Sequence, residues 1–177
     1  KPEPQFGGFY AARIADLDKQ HGIFFDIVPG GAGTPVVQMV AAGQFDFGIA
    51  SADEVVVSRS RGSDIVALFA VYQTNPQAIL THAERAFESL SDVFKSGGTI
   101  AMQKGLPYAV YLTRKYANGM KASIVPYLGG ISNFLARSDH SQQCFVTSEP
   151  FLARKQGAKV KTFLVAESGF NPYTTVL

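Results

Sequence analysis

Apolar and polar positions along the chain follow two periods in turn, one typical of helices and one typical of strands. Residues 35–54 show this most clearly. The stretch VVQMVAAG places apolar residues on one helical face and ends at Gly43, a residue type common at helix C-termini. The stretch FDFGIA then alternates like a strand and leads into the polar cluster Ser51-Ala52-Asp53, which suits a helix N-terminus. Because ligands of open α/β sheets bind beyond the carboxyl ends of strands, this segment predicts a ligand-binding loop.

The same periods predict the other elements. Predicted helices cover residues 8–19, 34–42, 52–59, 90–95, 107–116, 131–137 and 150–156. Predicted strands cover residues 23–28, 45–50, 65–72, 78–81, 99–102, 123–127, 143–147 and 159–165. A turn-rich break at residues 73–76 separates two groups of elements. We therefore predict an α/β fold of two lobes with a ligand cleft between them: residues 1–73 with 165–177 returning to them, and residues 77–164.

Composition and charge exclude several classes of function. The chain has 177 residues, a formal net charge of +2 and one cysteine. This charge is too small for a nucleic-acid surface, and one cysteine allows no intrachain disulfide. The three histidines lie far apart without metal-ligand spacing, and the chain has no phosphate-binding loop, nucleophile elbow or complete dinucleotide fingerprint. We therefore predict no catalytic residue, no metal and no cofactor.

Candidate ligand-binding residues lie in loops that precede helices, where backbone N–H groups are free. Aromatic rings at loop or strand ends could stack on a flat ligand, and the Glu149 carboxylate could pair with an amino or protonated ring group. For Glu149 and Asp53, the alternative role is helix capping. The candidates are Gln5, Phe6, Phe9, Gly31, Ser51, Ala52, Asp53, Tyr72, Gln103, Tyr108, Tyr127, Gly129 and Glu149.

Four stretches together resemble the substrate-binding proteins of ABC importers, of the nitrate, sulfonate, taurine and thiamine-pyrimidine-precursor type. They are QFGGFYAA, GGAGTPVVQMVAAGQFDFGIASADEVVVSR, IVALFAVYQTNPQAI and TSEPFLARKQG. The resemblance implies a type II periplasmic-binding-protein fold, in which two lobes joined by hinge strands close on a ligand. The first hinge crossing would lie at residues 73–77, and the return crossing near residues 165–173.

The resemblance also implies a function without catalysis. The partners would be a small-molecule ligand and an ABC transporter permease, in a periplasmic or other extracytoplasmic location. Contact with the membrane would be made only through the permease or through a lipid anchor not present in this chain. The aromatic residues and Glu149 favour a flat nitrogen heteroaromatic, such as a pyrimidine precursor of thiamine, as the ligand.

Three alternatives stay open at this point. The first is a binder of sulfonates or nitrate, and the second is an enzyme resembling the pyrimidine-precursor synthases, which carry a cysteine-rich motif and metal-binding histidines. The third is the effector domain of a transcription regulator, which would need a helix-turn-helix. Members of the resembled family usually begin with a further strand and end with a longer C-terminal portion. We therefore expect truncation at both ends, with an exposed edge and a depleted core in the first lobe.

Overall fold

The computed structural model describes residues 3–31 and 33–177. Its helices are α1 (Gly7–Ile14), α2 (Leu17–Gln20), α3 (Val36–Ala41), α4 (Ala52–Ser60), α5 (Leu90–Lys95), α6 (Pro107–Lys115), α7 (Ser132–Ala136) and α8 (Glu149–Lys155). Its strands are β1 (Ala70–Tyr72), β2 (Gln77–His82), β3 (Thr99–Met102), β4 (Ser123–Pro126), β5 (His140–Phe145), β6 (Val160–Leu164) and β7 (Thr174–Val176). Short 3-10 turns lie at Pro4–Phe6, Ala83–Arg85 and Ala166–Ser168.

Five of the strands form one mixed sheet in the order β4-β3-β5-β2-β6. Strand β3 runs parallel to β4 and β5, whereas β2 runs antiparallel to β5 and β6. Strands β3, β4, β5 and β6 therefore end at the edge of the sheet where β2 begins, and Gln77 lies opposite Phe145 there. This edge is where an α/β sheet is expected to meet its ligand. We call residues 77–164 the sheet region and residues 3–72 the N-terminal region.

The core lies on both faces of this sheet. Along β2, Ile79 packs into one apolar cluster, while Ala78 and Leu80 pack into the other, as the alternation of side chains in a strand requires. Helices α5 and α6 supply Phe94 and other residues of the first cluster. Helices α7 and α8 supply Phe134 and other residues of the second.

The N-terminal region contains much less strand than its sequence predicts. The predictions of strands at residues 23–28 and 45–50 are wrong, and only the last three residues of the predicted strand 65–72 form β1. Strand β1 pairs antiparallel with β7, and Ala50 makes one isolated bridge to Val176. A strand needs a hydrogen-bonded neighbour, and the apolar side chains of these segments remain exposed: Phe24 by 69%, Phe47 by 62% and Val66 by 71%. These segments therefore contribute little to a buried core.

Smaller differences have local causes. The helix predicted at residues 8–19 is divided into α1 and α2 because Asp16 adopts a left-handed conformation, with φ of 51°. Strand β5 begins at His140, three residues before the predicted start. Its first residues are polar but buried, so the apolar pattern does not include them. One of them, Gln142, donates a hydrogen bond to the Gly130 carbonyl at 2.9 Å. Most of the remaining elements agree with their predicted ends to within two residues.

The division of the chain into lobes at residues 73 and 77 stays a prediction, and its first two residues lie outside the described ones. None of the helices in residues 3–31 and 33–177 is both long and apolar enough to cross a lipid bilayer.

Candidate functional site

A cavity of about 190 Å³ lies at the edge of the sheet where β2 begins, between the sheet region and the N-terminal region. Residues from both regions form its wall, together with residues near β7. On the N-terminal side the wall includes Gln5, Phe6, Ser51, Asp53 and Glu54. On the sheet side it includes Gln77, Gln103, Tyr108 and Phe145, with Phe170, Thr174 and Thr175 from the C-terminal segment. The position is the one expected for a ligand cleft between two α/β units.

The side chain of Glu54, and not that of Asp53, caps the start of α4. The Ser51 N–H donates to the Glu54 carboxylate at 3.2 Å, and the Ser51 hydroxyl donates to the same oxygen at 2.8 Å. This is half of a capping box, in which the third helical residue reaches back to the N-cap. The Ala52 N–H donates to the Tyr173 carbonyl at 2.9 Å, which ties the loop to the C-terminal segment. The Asp53 side chain is therefore not needed to cap α4.

Two buried oxygens on the N-terminal side of the cavity have no hydrogen-bond partner in residues 3–31 and 33–177. They are Gln5 Oε1 and Asp53 Oδ1. The Gln5 amide is oriented by its other end, because Gln5 Nε2 donates to the Glu3 carboxylate. A buried acceptor without a donor costs about 1–3 kcal/mol. Both oxygens are thus suited to accept hydrogen bonds from a molecule in the cavity.

On the sheet side, Gln103 and Tyr108 are held by Gln143 of β5. The Gln103 N–H donates to Gln143 Oε1 at 2.6 Å, and the Tyr108 hydroxyl donates to the same oxygen. Gln143 Nε2 donates to Gln103 Oε1 at 2.9 Å. Burial raises the pKa of Tyr108, so this side chain remains a neutral phenol that can donate.

Glu149 lies beside the cavity and is not part of its wall. Its carboxylate accepts hydrogen bonds from the Phe145 N–H at 2.9 Å and from the Tyr127 hydroxyl at 3.2 Å. Burial raises the pKa of Glu149, and it also raises the pKa of Tyr127. The predicted contact of Glu149 and Tyr127 with ligand stays a prediction, and the observed bonds give this carboxylate a role in closing the loop between β5 and α8.

The other predicted residues are spread around the cavity or away from it. Phe9 stacks on Phe69 at a ring-centroid distance of 6.2 Å, and Tyr72 lies in β1. Gly31 is exposed and donates its N–H to Thr34 Oγ1. Ala52, Gly129 and these three residues do not belong to the cavity wall.

Sequence reasoning missed Gln77, Gln143 and the two threonines of β7. Gln143 begins the predicted strand 143–147, and a glutamine in a strand expected to be buried is itself an informative signal. Thr175 adopts φ of 52°, which is unusual for a β-branched residue, and nothing in the sequence indicates it.

A larger, open depression of about 740 Å³ lies at the opposite edge of the sheet. Its wall includes His82, Arg85 and Asp139, and their polar groups are already engaged. Arg85 donates to the Asp139 carbonyl at 3.0 Å, and His82 Nε2 lies 2.9 Å from the Phe134 carbonyl. We favour the smaller cavity as the candidate site because it is more enclosed and contains unpaired buried acceptors.

The buried Glu149 makes stability depend on pH. Because its pKa in the folded state is raised above the ordinary value of 4.5, the folded protein holds this proton more tightly than the unfolded chain does. The contribution of protonated Glu149 to the stability of the fold is therefore complete below about pH 4.5. It is lost as the pH rises through the folded-state pKa. Glu149→Gln keeps an acceptor for the Phe145 N–H without the charge. We expect the melting temperature of Glu149→Gln to rise relative to that of wild type between pH 4 and pH 7. The expected rise is about 2–4 °C for each kcal/mol by which the charged carboxylate destabilises the folded wild type.

The control for this prediction is Glu167→Gln, at an exposed glutamate. Its melting temperature should differ from wild type by the same small amount at every pH. A difference for Glu149→Gln that does not change with pH would contradict the burial of this charge.

Comparisons with known proteins give the family and the fold. The family model described as NMT1/THI5 like matches residues 3–177. No protein with a curated description matches the chain. Among solved structures, the periplasmic aliphatic sulphonate binding protein SsuA from Escherichia coli is similar with a TM-score of 0.65 and 16% identity, over 97% of this chain and 58% of SsuA.

Two further structures have the same fold. The GluR0 ligand-binding core in complex with L-glutamate has a TM-score of 0.61 and 12% identity, over 93% of this chain and 72% of that chain. A structure from glutathione import via GshT and the cystine ABC importer TcyBC of Streptococcus mutans has a TM-score of 0.62 and 14% identity, over 94% of this chain and 70% of that chain. These similarities confirm the predicted α/β fold of the type II periplasmic-binding-protein kind.

Proposed function

Because the chain belongs to the NMT1/THI5-like family, we propose that it is the solute-binding component of an ABC importer and holds a small molecule in the cavity between Asp53 and Gln103. Structures with the same fold include a protein named for aliphatic sulphonate binding and one from glutathione import. The observation on which the proposal rests is the pair of buried, unpaired acceptors, Gln5 Oε1 and Asp53 Oδ1, on the wall of this cavity. Ligand binding would select the closed arrangement of the two regions.

The cavity favours a small ligand that donates hydrogen bonds. The Asp53 carboxylate and Gln5 Oε1 are matched by an amino group or a protonated ring nitrogen. Phe6 and Phe145 line the cavity wall and supply aromatic rings, which suit a flat ligand. A volume of about 190 Å³ is below the usual range for drug-sized ligands and suits a single ring. A flat nitrogen heteroaromatic such as an aminopyrimidine meets all three conditions.

An anionic ligand fits the site less well. The positive end of the α4 helix dipole would favour a sulfonate or nitrate. However, the carboxylates of Asp53 and Glu54 stand on the same wall of the cavity and would repel a negative charge. The sulfonate or nitrate binder is therefore the second candidate for the ligand class.

The proposal involves binding without catalysis and without a cofactor. Cys144, the one cysteine, is buried, and burial raises the pKa of its thiol far above the ordinary value. A thiol of this kind is a poor nucleophile. In residues 3–31 and 33–177, no group of three or more His, Cys, Asp and Glu side chains is placed to hold a metal ion. The proposed partners are a small molecule and an ABC permease, in a periplasmic or other extracytoplasmic location.

Native mass spectrometry followed by a thermal-shift screen tests this function. The screen compares 4-aminopyrimidine and cytosine with taurine, nitrate and glutamate. We expect an amino heteroaromatic at about 100 times its Kd to raise the melting temperature by about 5–10 °C. If only taurine or nitrate stabilises the protein, the ligand is an anion and not an amino heteroaromatic. Absence of any co-purified molecule and of any stabilising compound would contradict the binding function.

A further inference from the structure

Four amide side chains on the cavity wall are each tied to the protein at one end. The Asn75 oxygen accepts a hydrogen bond from the Gln77 N–H at 2.9 Å. Gln5 Nε2 donates to the Glu3 carboxylate, and Gln77 Nε2 donates to the Cys144 carbonyl at 3.3 Å. At Gln103 the tied end is the oxygen, which accepts from Gln143 Nε2 at 2.9 Å. Among the described residues the opposite ends make no hydrogen bond to the protein, so Gln5 and Gln77 offer an oxygen, whereas Asn75 and Gln103 offer an N–H₂ group.

The orientation of the Gln103 amide depends on Gln143. The backbone N–H of Gln103 can only donate, so the end of Gln143 that faces it at 2.6 Å must be Oε1. The Tyr108 hydroxyl donates to the same oxygen. The other end of Gln143 is then Nε2, which can only donate and therefore faces Gln103 Oε1. Gln143 is only 8% exposed, which favours its bonds to the protein over bonds to water.

We infer that Gln143, which does not itself line the cavity, is a positioning residue that sets the polarity of the ligand. By turning the Gln103 Nε2 group outward, it gives the cavity a donor on the sheet side, opposite the acceptors Gln5 Oε1 and Asp53 Oδ1. The ligand selected by this arrangement carries donors at one end and an acceptor at the other. This inference rests on the proposed function, because it assigns the specificity of the same site.

The orientation is tested without a ligand by side-chain amide hydrogen exchange in the full chain, measured by NMR. In the wild type we expect the Gln143 N–H₂ protons to be protected and the Gln103 N–H₂ protons to exchange rapidly. In Gln143→Glu the side chain has no donor for Gln103 Oε1, so the Gln103 amide should turn and its N–H₂ protons should become protected. Protected Gln103 protons in the wild type would overturn the inference.

The specificity is tested with two probes that differ in one feature. Both 4-aminopyrimidine and aniline carry an amino donor, but only 4-aminopyrimidine has ring nitrogens that accept. We expect wild type to prefer 4-aminopyrimidine, and this preference to fall by about threefold to tenfold in Gln143→Glu, which is the range for one neutral hydrogen bond. In a Gln103→Leu background, Gln143→Glu should leave the preference unchanged, because the two residues act as one unit.

A matched control tests the effect of the added charge, and a second variant replaces Gln143→Glu if that protein does not fold. Gln142→Glu places the same new charge in β5 but at the residue that bonds Gly130, and its preference should equal that of wild type. If Gln143→Glu does not fold, Gln143→Met also removes the donor and should lower the preference. An unchanged preference in the folded Gln143 variant would overturn the inference. Failure of both probes to bind wild type would contradict the proposed ligand class, and hydrogen exchange would then decide the role of Gln143 by itself.

Discussion

Asp53→Asn should weaken the binding of an amino-heteroaromatic ligand about 10-fold to 100-fold and leave the free protein as stable as the wild type or more stable. The loss follows from removing the charge in a buried, charge-assisted hydrogen bond, which contributes about 1.5–3 kcal/mol. The unchanged stability follows from the free structure, where Asp53 Oδ1 is buried without a partner among the described residues. Asp53→Asn therefore removes no hydrogen bond that this oxygen makes in the free protein. Isothermal titration gives the affinity, and thermal unfolding gives the stability.

The control for this prediction is Asp46→Asn, at an exposed aspartate of the same N-terminal region. Its affinity and stability should both equal those of wild type. If Asp53→Asn lowers the melting temperature and keeps the affinity, the carboxylate acts as a helix cap and not as a ligand-binding group. The capping of α4 by Glu54 argues for the first outcome.

Phe94→Ala should lower the free energy of unfolding by about 3–5 kcal/mol, the range for a large aromatic side chain removed from a packed core. Phe94 is fully buried in α5 and stacks on Tyr116 at a ring-centroid distance of 4.9 Å. It belongs to the apolar cluster beneath β3. Since the N-terminal region buries few large apolar side chains, this cluster supplies much of the stability of the chain. Urea unfolding monitored by circular dichroism measures the change.

Phe151→Ala provides the comparison in the same sheet region. Phe151 lies in α8 and is 66% exposed, so its removal should change the stability by no more than about 0.5 kcal/mol. Similar losses for the two variants would mean that the core does not lie where the structure places it.

How far the fold could be predicted differs between the two regions. In the sheet region, elements such as α5 and β3 are predicted to the residue, because buried apolar side chains there follow the period of each element. In the N-terminal region, the runs IFFDIV and FDFGIA have the pattern of strands but form no ladder. A periodic pattern indicates that a segment tends to form a strand and to be buried. Whether it joins a sheet depends on whether another strand lies beside it.

The candidate site was predictable only in part, for a related reason. Sequence patterns place loops at the carboxyl ends of strands, and Gln5, Phe6, Ser51, Asp53, Gln103 and Tyr108 do line the cavity. The direction of a side chain within a loop depends on contacts distant in sequence, such as the bond that joins Gln103 to Gln143. The same limit applies to Glu149, whose carboxylate is held by Tyr127 from another strand–helix connection.

A crystal structure of the full chain with the most stabilising compound of the thermal-shift screen tests the central proposal most directly. We expect the ligand to lie between the two regions, with a nitrogen within about 3.2 Å of Asp53 Oδ1 and of Gln5 Oε1. An acceptor of the ligand should face Gln103 Nε2. Ligand bound in the open depression beside His82 and Arg85, or a ligand that leaves the Asp53 carboxylate without a donor, would contradict it.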